Sequence, residues 1–452
     1  MNLEGRSLKQ NFIRFIIPSV LSQWIFTLYT MVDGMFVAIG VSEVALTAVN
    51  LSFPFIAFLF ALSLMFAVGT STVTAILLGE KKTDRASEVF TQNIVLVTAI
   101  SAVIAAAVML NLERFARFLG APDEQTLGYV MEYLSWIAPF SFSFLLSYSF
   151  EIILKTDGFP QKAALAVAFG AIENCILDWL FVIVFDFGLA GAAFATSLSQ
   201  ITLLGIYFHH FFGRKGLLYF RKFKFDLSLV WREVKNGFSS GVTELSSGLV
   251  TFMFNQVILI YLTRDALVSY TIVSYINSIV VLSATGIAQG SQPLISYYYG
   301  QGRMDNCRKL LKYCVVTAGA FCAVSFVLGY LLAGSIVSIY VGPALEALRA
   351  YSTEVFRIFI ISFLLVGFNV AFSGYFTSVE QPAPALLIAA GRGFVLLAGS
   401  LFVMTKLFGA VGIWWSPTLS EAVCLAMTLI LFAVYCRRDP RWRQTKTDSA
   451  SS

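Results

Sequence analysis

Twelve long apolar stretches constrain this chain more than any other feature. They run approximately over 15–39, 49–78, 89–110, 131–154, 163–185, 188–211, 237–262, 267–298, 313–334, 353–377, 384–407 and 411–436. Each is long enough for a helix crossing the hydrocarbon layer, which takes about 20 residues. Inside lipid the backbone must satisfy its own hydrogen bonds, which leaves helices or closed barrels. Barrel strands alternate apolar and polar residues, whereas these runs are unbroken. Composition agrees: only 13% of residues are charged, about half the ~25% of a soluble domain. With a mean hydropathy of +0.78, a soluble enzyme and a disordered chain are both excluded. The expected fold is an all-α polytopic membrane protein of twelve transmembrane helices. The second and eighth runs exceed what a bilayer needs, so they should tilt or project beyond it.

Basic residues set the expected orientation. With the N-terminus on the inner side, the inner segments carry 24 of the 31 Lys and Arg, and the outer segments carry Arg114, Arg117, Arg264, Arg349 and Lys406. Arg357 and Arg392 lie within spans. Such an asymmetry places both termini in the cytoplasm. The longest inner connection, 212–236, divides the chain into an N-terminal six-helix lobe (1–211) and a C-terminal one (237–436), followed by a basic cytoplasmic tail (437–452). That linker contains Arg214-Lys215 and Arg221-Lys222 and suits a cytoplasmic segment near anionic headgroups.

Other familiar signals are missing. The six cysteines form no CxxC pair and most fall inside apolar runs, so neither a disulfide framework nor a metal centre is expected. His209 and His210 are adjacent and do not form a zinc motif. Met1–Arg14 is polar and basic, and no cleavable signal is expected.

The two halves repeat. A gapless shift of 221 residues lays Gly69 on Gly290, Gly79 on Gly300, Asp84 on Asp305, Gly188 on Gly409 and Gly191 on Gly412. Six spans return the chain to its starting side, so the lobes are expected to be parallel repeats related by a pseudo-twofold axis along the membrane normal. Carriers with such repeats hold substrate between the halves and alternate access by rocking.

Six acids lie deep in the runs: Asp33, Glu151, Glu173, Asp178, Glu244 and Glu421. A carboxylate at membrane depth costs at least about 2.5–3.5 kcal/mol, which makes each a functional suspect. Asn174 and Asp178 are four apart and share one helix face. Together they offer an amide oxygen and a carboxylate to one point, with a hydroxyl available from Thr196 and a second carboxylate from Asp33. Sodium wants such an oxygen cluster; a proton needs only a carboxylate. Asp33, Asn174, Asp178 and Thr196 are therefore the candidate cation ligands, as a metal site only if the ion is sodium. The constant shift places Phe254, Val395, Gly399 and Pro417 at the equivalent positions, so the shared fold does not demand these four residues. The bland alternative is a structural hydrogen-bonded pair.

The same shift pairs Glu244 with Gln23, and Glu421 with Gln200, as if each half lines a cavity there. These four are the candidate substrate-cavity residues, Glu244 for a cationic substrate or a second ion. Glu173 points away from Asn174. Glu151 is expected to pair with Lys155 at i+4. Arg392 should neutralise a buried carboxylate that the sequence does not name. Pro18 sits in the first run, several turns before Asp33, and is the candidate hinge.

At this point the chain resembles the multidrug and toxic compound extrusion (MATE) family, nearest its bacterial multidrug-efflux branch. The resemblance covers the whole chain and rests on Pro18, Gln23, Tyr29 and Asp33, on Gly69 and Gly79-Glu80-Lys81-Lys82, and on Asn174-Cys-Ile-Leu-Asp178 with Gly188-Leu-Ala-Gly191-Ala-Ala-Phe-Ala-Thr196. It implies twelve helices in two lobes around a V-shaped cavity. It implies export of organic cations and lipophilic drugs in exchange for protons or sodium ions, by alternating access. It also implies a coupling role for Asp33, Asn174, Asp178 and Thr196, with Tyr29 close by. One branch uses acids in its seventh and tenth spans; Glu244 fits the first, while the tenth run has only Glu354 at its outer edge.

The expected molecule is thus a monomeric transporter of the bacterial inner membrane. Its expected partners are the lipid bilayer and small amphipathic organic cations, with no nucleic acid and no cofactor beyond the coupling H+ or Na+. The alternative from the same superfamily is a flippase for lipid or lipid-linked oligosaccharide, whose anionic cargo would call for several basic residues in the cavity. A membrane enzyme would need a catalytic constellation, and none is visible.

Overall fold

The computed structural model describes residues 5–121 and 123–442, and every regular element among them is helical. The helices are α1 (Leu8–Gly40), α2 (Glu43–Gly79), α3 (Thr83–Leu110), the short α4 (Leu112–Phe118), α5 (Glu124–Ile137), α6 (Ser141–Thr156), α7 (Pro160–Asp178) and α8 (Gly188–Phe212). A second series follows: α9 (Leu227–Tyr261), α10 (Arg264–Gly300), α11 (Met304–Tyr340), α12 (Glu346–Phe359), α13 (Phe363–Ser378), α14 (Pro382–Ala390) and α15 (Leu396–Arg438). Ten segments are long and apolar enough to cross a membrane unaided, and α5 with α6, bent by 54°, makes an eleventh. One of the ten, Pro382–Arg438, is 57 residues long. It is interrupted at Gly409, whose backbone (φ 58°, ψ −136°) is not helical. Division there yields the twelve runs read from the sequence. The protein is a multi-pass membrane protein.

Helix ends show where the repeat is in register. Gly79 and Gly300 both end helices, and Thr83 and Met304 both begin them, a separation of 221. Gly188 and Gly409 share a left-handed φ near +58°, a conformation that glycine adopts without strain. Lys81 and Gly302 are likewise both left-handed. Over the middle of each half, however, the separation is 222: Glu124 matches Glu346, Ser141 matches Phe363, and Pro160 matches Pro382. The single constant shift therefore needs correction by one residue through α5–α7. The loops leading into α5 and α12 are equally long, so the extra residue of the second half lies in α11, which is one residue longer than the stretch from α3 to the end of α4, and one residue fewer before Gly409 compensates.

The contacts divide the chain into two compact units. The N-terminal unit holds Leu21–Glu244; the C-terminal unit holds Ser7–Val20 and the chain from Leu245 onward. Thus α1 changes unit between Val20 and Leu21, two residues after Pro18, and α9 does so between Glu244 and Leu245. This division by contacts differs from the boundaries at 211 and 237 drawn by counting spans. Pro18 itself lies within an unbroken α1.

In the N-terminal unit α2 packs on α3, α5 and α6, and α8 packs on α6 and α7. Small and hydroxyl residues let these helices approach closely. Ser71 bonds Thr156 at 2.7 Å, and Ser63 donates to the Leu145 carbonyl at 2.9 Å. A Cβ on Gly69 would stand 2.0 Å from the Glu233 carbonyl oxygen, so the first turns of α9 lie directly against α2. The linker is strapped to this unit. Asp157, itself bonded to His210, accepts the Leu217 and Leu218 amides at 2.7 and 2.9 Å. Gln92 exchanges two hydrogen bonds with the backbone of Asp226, whose carboxylate pairs with Arg85 at 2.8 Å. The last ten residues assigned to the linker are the start of α9. The end of the basic tail, 443–452, lies outside the described residues.

In the C-terminal unit α10 packs on α11 and α13, and α13 on α14 and α15. Its core includes Phe254, Tyr270, Phe356, Phe363 and Trp414.

Candidate cation site

The candidate cation ligands all fall in the N-terminal unit. Asn174 and Asp178 lie on one face of α7, and burial selects that face: they are 1% and 0% exposed, while Ile172, Ile176 and Trp179 point outward. Helix α7 ends at Asp178 and passes into a π-helical turn, Trp179–Val184. Such wide turns disturb the backbone ladder and recur at functional sites. Across from them, α8 offers Thr196, whose hydroxyl is 3.5 Å from the Asn174 amide nitrogen and donates to the Ala192 carbonyl at 3.0 Å. Asp33 of α1 interacts with both Asp178 and Thr196.

The polar atoms of this group are conspicuously short of donors. Both carboxylate oxygens of Asp178, Oδ1 of Asp33 and Oδ1 of Asn174 are buried with no hydrogen-bond partner. Buried polar oxygens normally find one. Two adjacent carboxyls bond each other only when a proton sits on one of them, and two carboxylates repel unless a cation lies between them. The arrangement is a set of oxygens waiting for a positive charge. Asp33, Asp178, Asn174 and Thr196 supply two carboxylates, one amide and one hydroxyl, a donor set of hard oxygens that suits a proton or a small alkali cation. Among the described residues no group of three or more His, Cys, Asp or Glu could hold a transition metal.

Tyr29 stands beside this set and interacts with Asp33, Asp178 and also Glu151. Tyr133 of α5 approaches Asp33, Asp178 and Tyr29 as well. Tyr133 was not legible beforehand, being one tyrosine among 18 with no spacing rule to pick it out.

A small cavity of about 30 Å³ opens beside Tyr29, lined by Gln23, Ser147, Tyr148, Glu151, Gln200 and others. It has room for a water molecule or two, far less than the roughly 300 Å³ at which drug-sized pockets begin. Ser147 bonds Gln200, and Tyr148 bonds Gln23. Glu244, the repeat counterpart of Gln23, also acts on Tyr148. At the far end Glu151 and Lys155 form the expected i, i+4 pair at 2.6 Å.

The remaining deep acids are separate. Glu173 accepts from Thr202 at 2.9 Å. Glu421 stands in the C-terminal unit, where Arg392 Nε donates to it at 2.8 Å and Asn369 Nδ2 at 2.7 Å. Thr428 completes the network by bonding Asn369. This identifies the partner of Arg392. It also removes Glu421 from the free cavity-lining acids: both its oxygens are engaged.

Comparison with known proteins follows the same lines. The MatE family model matches residues 18–180 and 243–398. The multidrug export protein MepA of Staphylococcus saprophyticus is 26% identical over 447 residues, covering 96% of this chain and 95% of that protein. MepA of Staphylococcus haemolyticus is 25% identical over 441 residues, with the same coverage of 96% and 95%. Among solved structures, a multidrug resistance MATE family transporter of the MOP superfamily superposes with a TM-score of 0.89 at 21% identity, covering 95% of this chain and 96% of that one. The Vibrio cholerae MATE transporter VcmN, in a mutant form, also gives 0.89 at 16% identity, covering 96% and 98%. The fold is that of these transporters.

Proposed function

For a chain that belongs to the MatE family, we propose the work of a secondary active antiporter, exporting organic cations and lipophilic drugs in exchange for H+ or Na+ by alternating access. The observation that carries this reading is the Asp33–Asp178 pair with its donor-free oxygens. Two carboxylates in an apolar lobe are costly to keep charged and unpaired. A cation entering from outside relieves that cost, and its release inside restores it, so occupancy of the site is tied to the state of the carrier. The relatives named multidrug export proteins supply the cargo class.

Orientation follows from the basic inner connections: both termini are cytoplasmic and the host is the plasma membrane. The flippase alternative, with anionic cargo, would need free basic groups deep in the spans. Arg392 is consumed by Glu421, which favours cationic cargo. Transporter names among the relatives and the absence of a catalytic motif favour carriage over catalysis.

The experiment is transport of a fluorescent organic cation into proteoliposomes under separately imposed pH and sodium gradients. Accumulation driven by either gradient supports the antiporter and names the ion. Movement with neither, in folded protein, rejects it.

A further inference from the structure

The two units treat one internal space in opposite ways. In the N-terminal unit Ser147 bonds Gln200 beside the small cavity. In the C-terminal unit the equivalent pair is Asn369 and Glu421, also bonded to each other. These are matched by the 222 register of α6 with α13 and the 221 register of α8 with α15. Gly170, which lines the cavity, corresponds in the same way to Arg392, which is paired with Glu421. Glu151 and Lys155 correspond to Ser373 and Thr377, which carry no charge; the Thr377 hydroxyl donates to the Ser373 carbonyl at 3.1 Å. The shared architecture therefore requires neither the cavity nor the buried Glu151–Lys155 pair. A buried ion pair is a weak source of stability, because desolvation offsets its attraction.

We propose that this cavity is a hydrated passage through the N-terminal unit, joining the Asp33–Asp178 site to the cytoplasm, with Glu151 as its receiving group and Lys155 as its latch. Tyr29 lines the cavity and acts on Asp33, Asp178 and Glu151 alike, so it bridges the two ends. The titratable groups facing Glu151 are Lys155 and Tyr148 of its own helix, Tyr207 of α8 and Tyr29 of α1. Lys155 is 2% exposed and lies one turn nearer the basic inner end of α6. While Lys155 holds Glu151, the carboxylate is already neutralised and attracts a second cation weakly. Departure of the ammonium opens the way, and its return expels the cation toward the cytoplasm. In the C-terminal unit the equivalent positions hold the Arg392–Glu421 pair, so the proposed passage belongs to one unit. Lys155 acts through Glu151 and is a positioning residue in this scheme.

The inference rests on the cation-coupled reading above, and its test separates the two. Wild type, Glu151→Gln, Ala171→Val, Lys155→Met and Lys155→Arg are reconstituted in liposomes. Ala171 lines the cavity, and valine narrows it without touching a charge. Three readouts are taken: gradient-driven uptake of a fluorescent organic cation, drug-for-drug exchange without an ion gradient, and the dependence of uptake on pH or sodium set on each face alone. Glu151→Gln and Ala171→Val should lower gradient-driven uptake by about tenfold or more while drug exchange stays within about twofold. Lys155→Met should alter the ion dependence on the cytoplasmic face only, and Lys155→Arg should restore it. If wild type is driven and both Glu151→Gln and Ala171→Val behave as wild type, the passage is wrong and the antiporter reading survives. Equal loss of driven uptake and drug exchange also overturns the passage, pointing to a structural role. If wild type responds to no gradient, the antiporter reading itself fails.

Discussion

Gln200 and Glu421 hold the same position in the two repeats, yet Gln200 faces a water-sized cavity and Glu421 is locked by Arg392 at 2.8 Å. One position lines a cavity and its counterpart is held in an ion pair. That asymmetry accords with the proposed coupling site in the N-terminal unit, while Arg392, Glu421 and Asn369 form a bonded network in the C-terminal one.

The clamp has a stability signature. Arg392 and Glu421 are 15% and 12% exposed, so removing one partner strands the other. Arg392→Met or Glu421→Gln should each destabilise the protein by about 3–5 kcal/mol, whereas exchanging both for apolar residues of similar volume should cost far less. Thermal unfolding in detergent, run as a double-mutant cycle, measures the difference.

Close helix approach in the N-terminal unit makes a second prediction. A Cβ on Gly237 would stand 1.7 Å from the Met65 carbonyl oxygen, while one on Gly248 of the same helix meets nothing within 4 Å. Gly237→Ala should force α9 off α2 and cost about 1–3 kcal/mol. Gly248→Ala should be harmless, and the melting temperatures of the two variants check this.

The linker strap should depend on pH. Asp226 is held below the usual aspartate range, chiefly by the Ser228 hydroxyl, with backbone amides and Arg85 adding to the effect. A lowered folded-state value gives a contribution that is full above the ordinary aspartate range and is lost as pH falls through the folded value. The protection factors of the Arg221 and Asp226 amides, taken relative to their intrinsic exchange rates, should therefore fall under acid. Asp226→Asn should show the lowered protection already at neutral pH.

Much of this was legible in the sequence, for reasons that can be named. Apolar run length fixes helices in lipid, so all twelve runs could be counted. Helical spacing put Asn174 with Asp178 and Glu151 with Lys155, because both pairs are local. The one-residue register change was hidden, since the glycines of α5 and α7, Gly128 and Gly170, fall on Ala350 and Arg392 in the second half and form no matched pair like Gly188 and Gly409. Tertiary partners were hidden too: Tyr133, the Arg392–Glu421 contact and the transfer of the ends of α1 and α9 between units all depend on packing across distant segments.

Neutral oxygens distinguish the two coupling ions. In the proposed site a sodium ion would use the Asn174 amide and the Thr196 hydroxyl, whereas a proton on the carboxylates would not. Asn174→Ala and Thr196→Val should weaken sodium-driven export by about 10- to 100-fold and leave proton-driven export nearly intact. Export measured under each gradient gives the answer.

The most direct measurement is gradient-driven transport by Asp33→Asn and Asp178→Asn in proteoliposomes, alongside drug binding to the same preparations. Loss of coupled export by both variants, with insertion and drug binding kept, is the predicted result. Normal gradient-driven export by both would contradict a coupling site at this carboxylate pair.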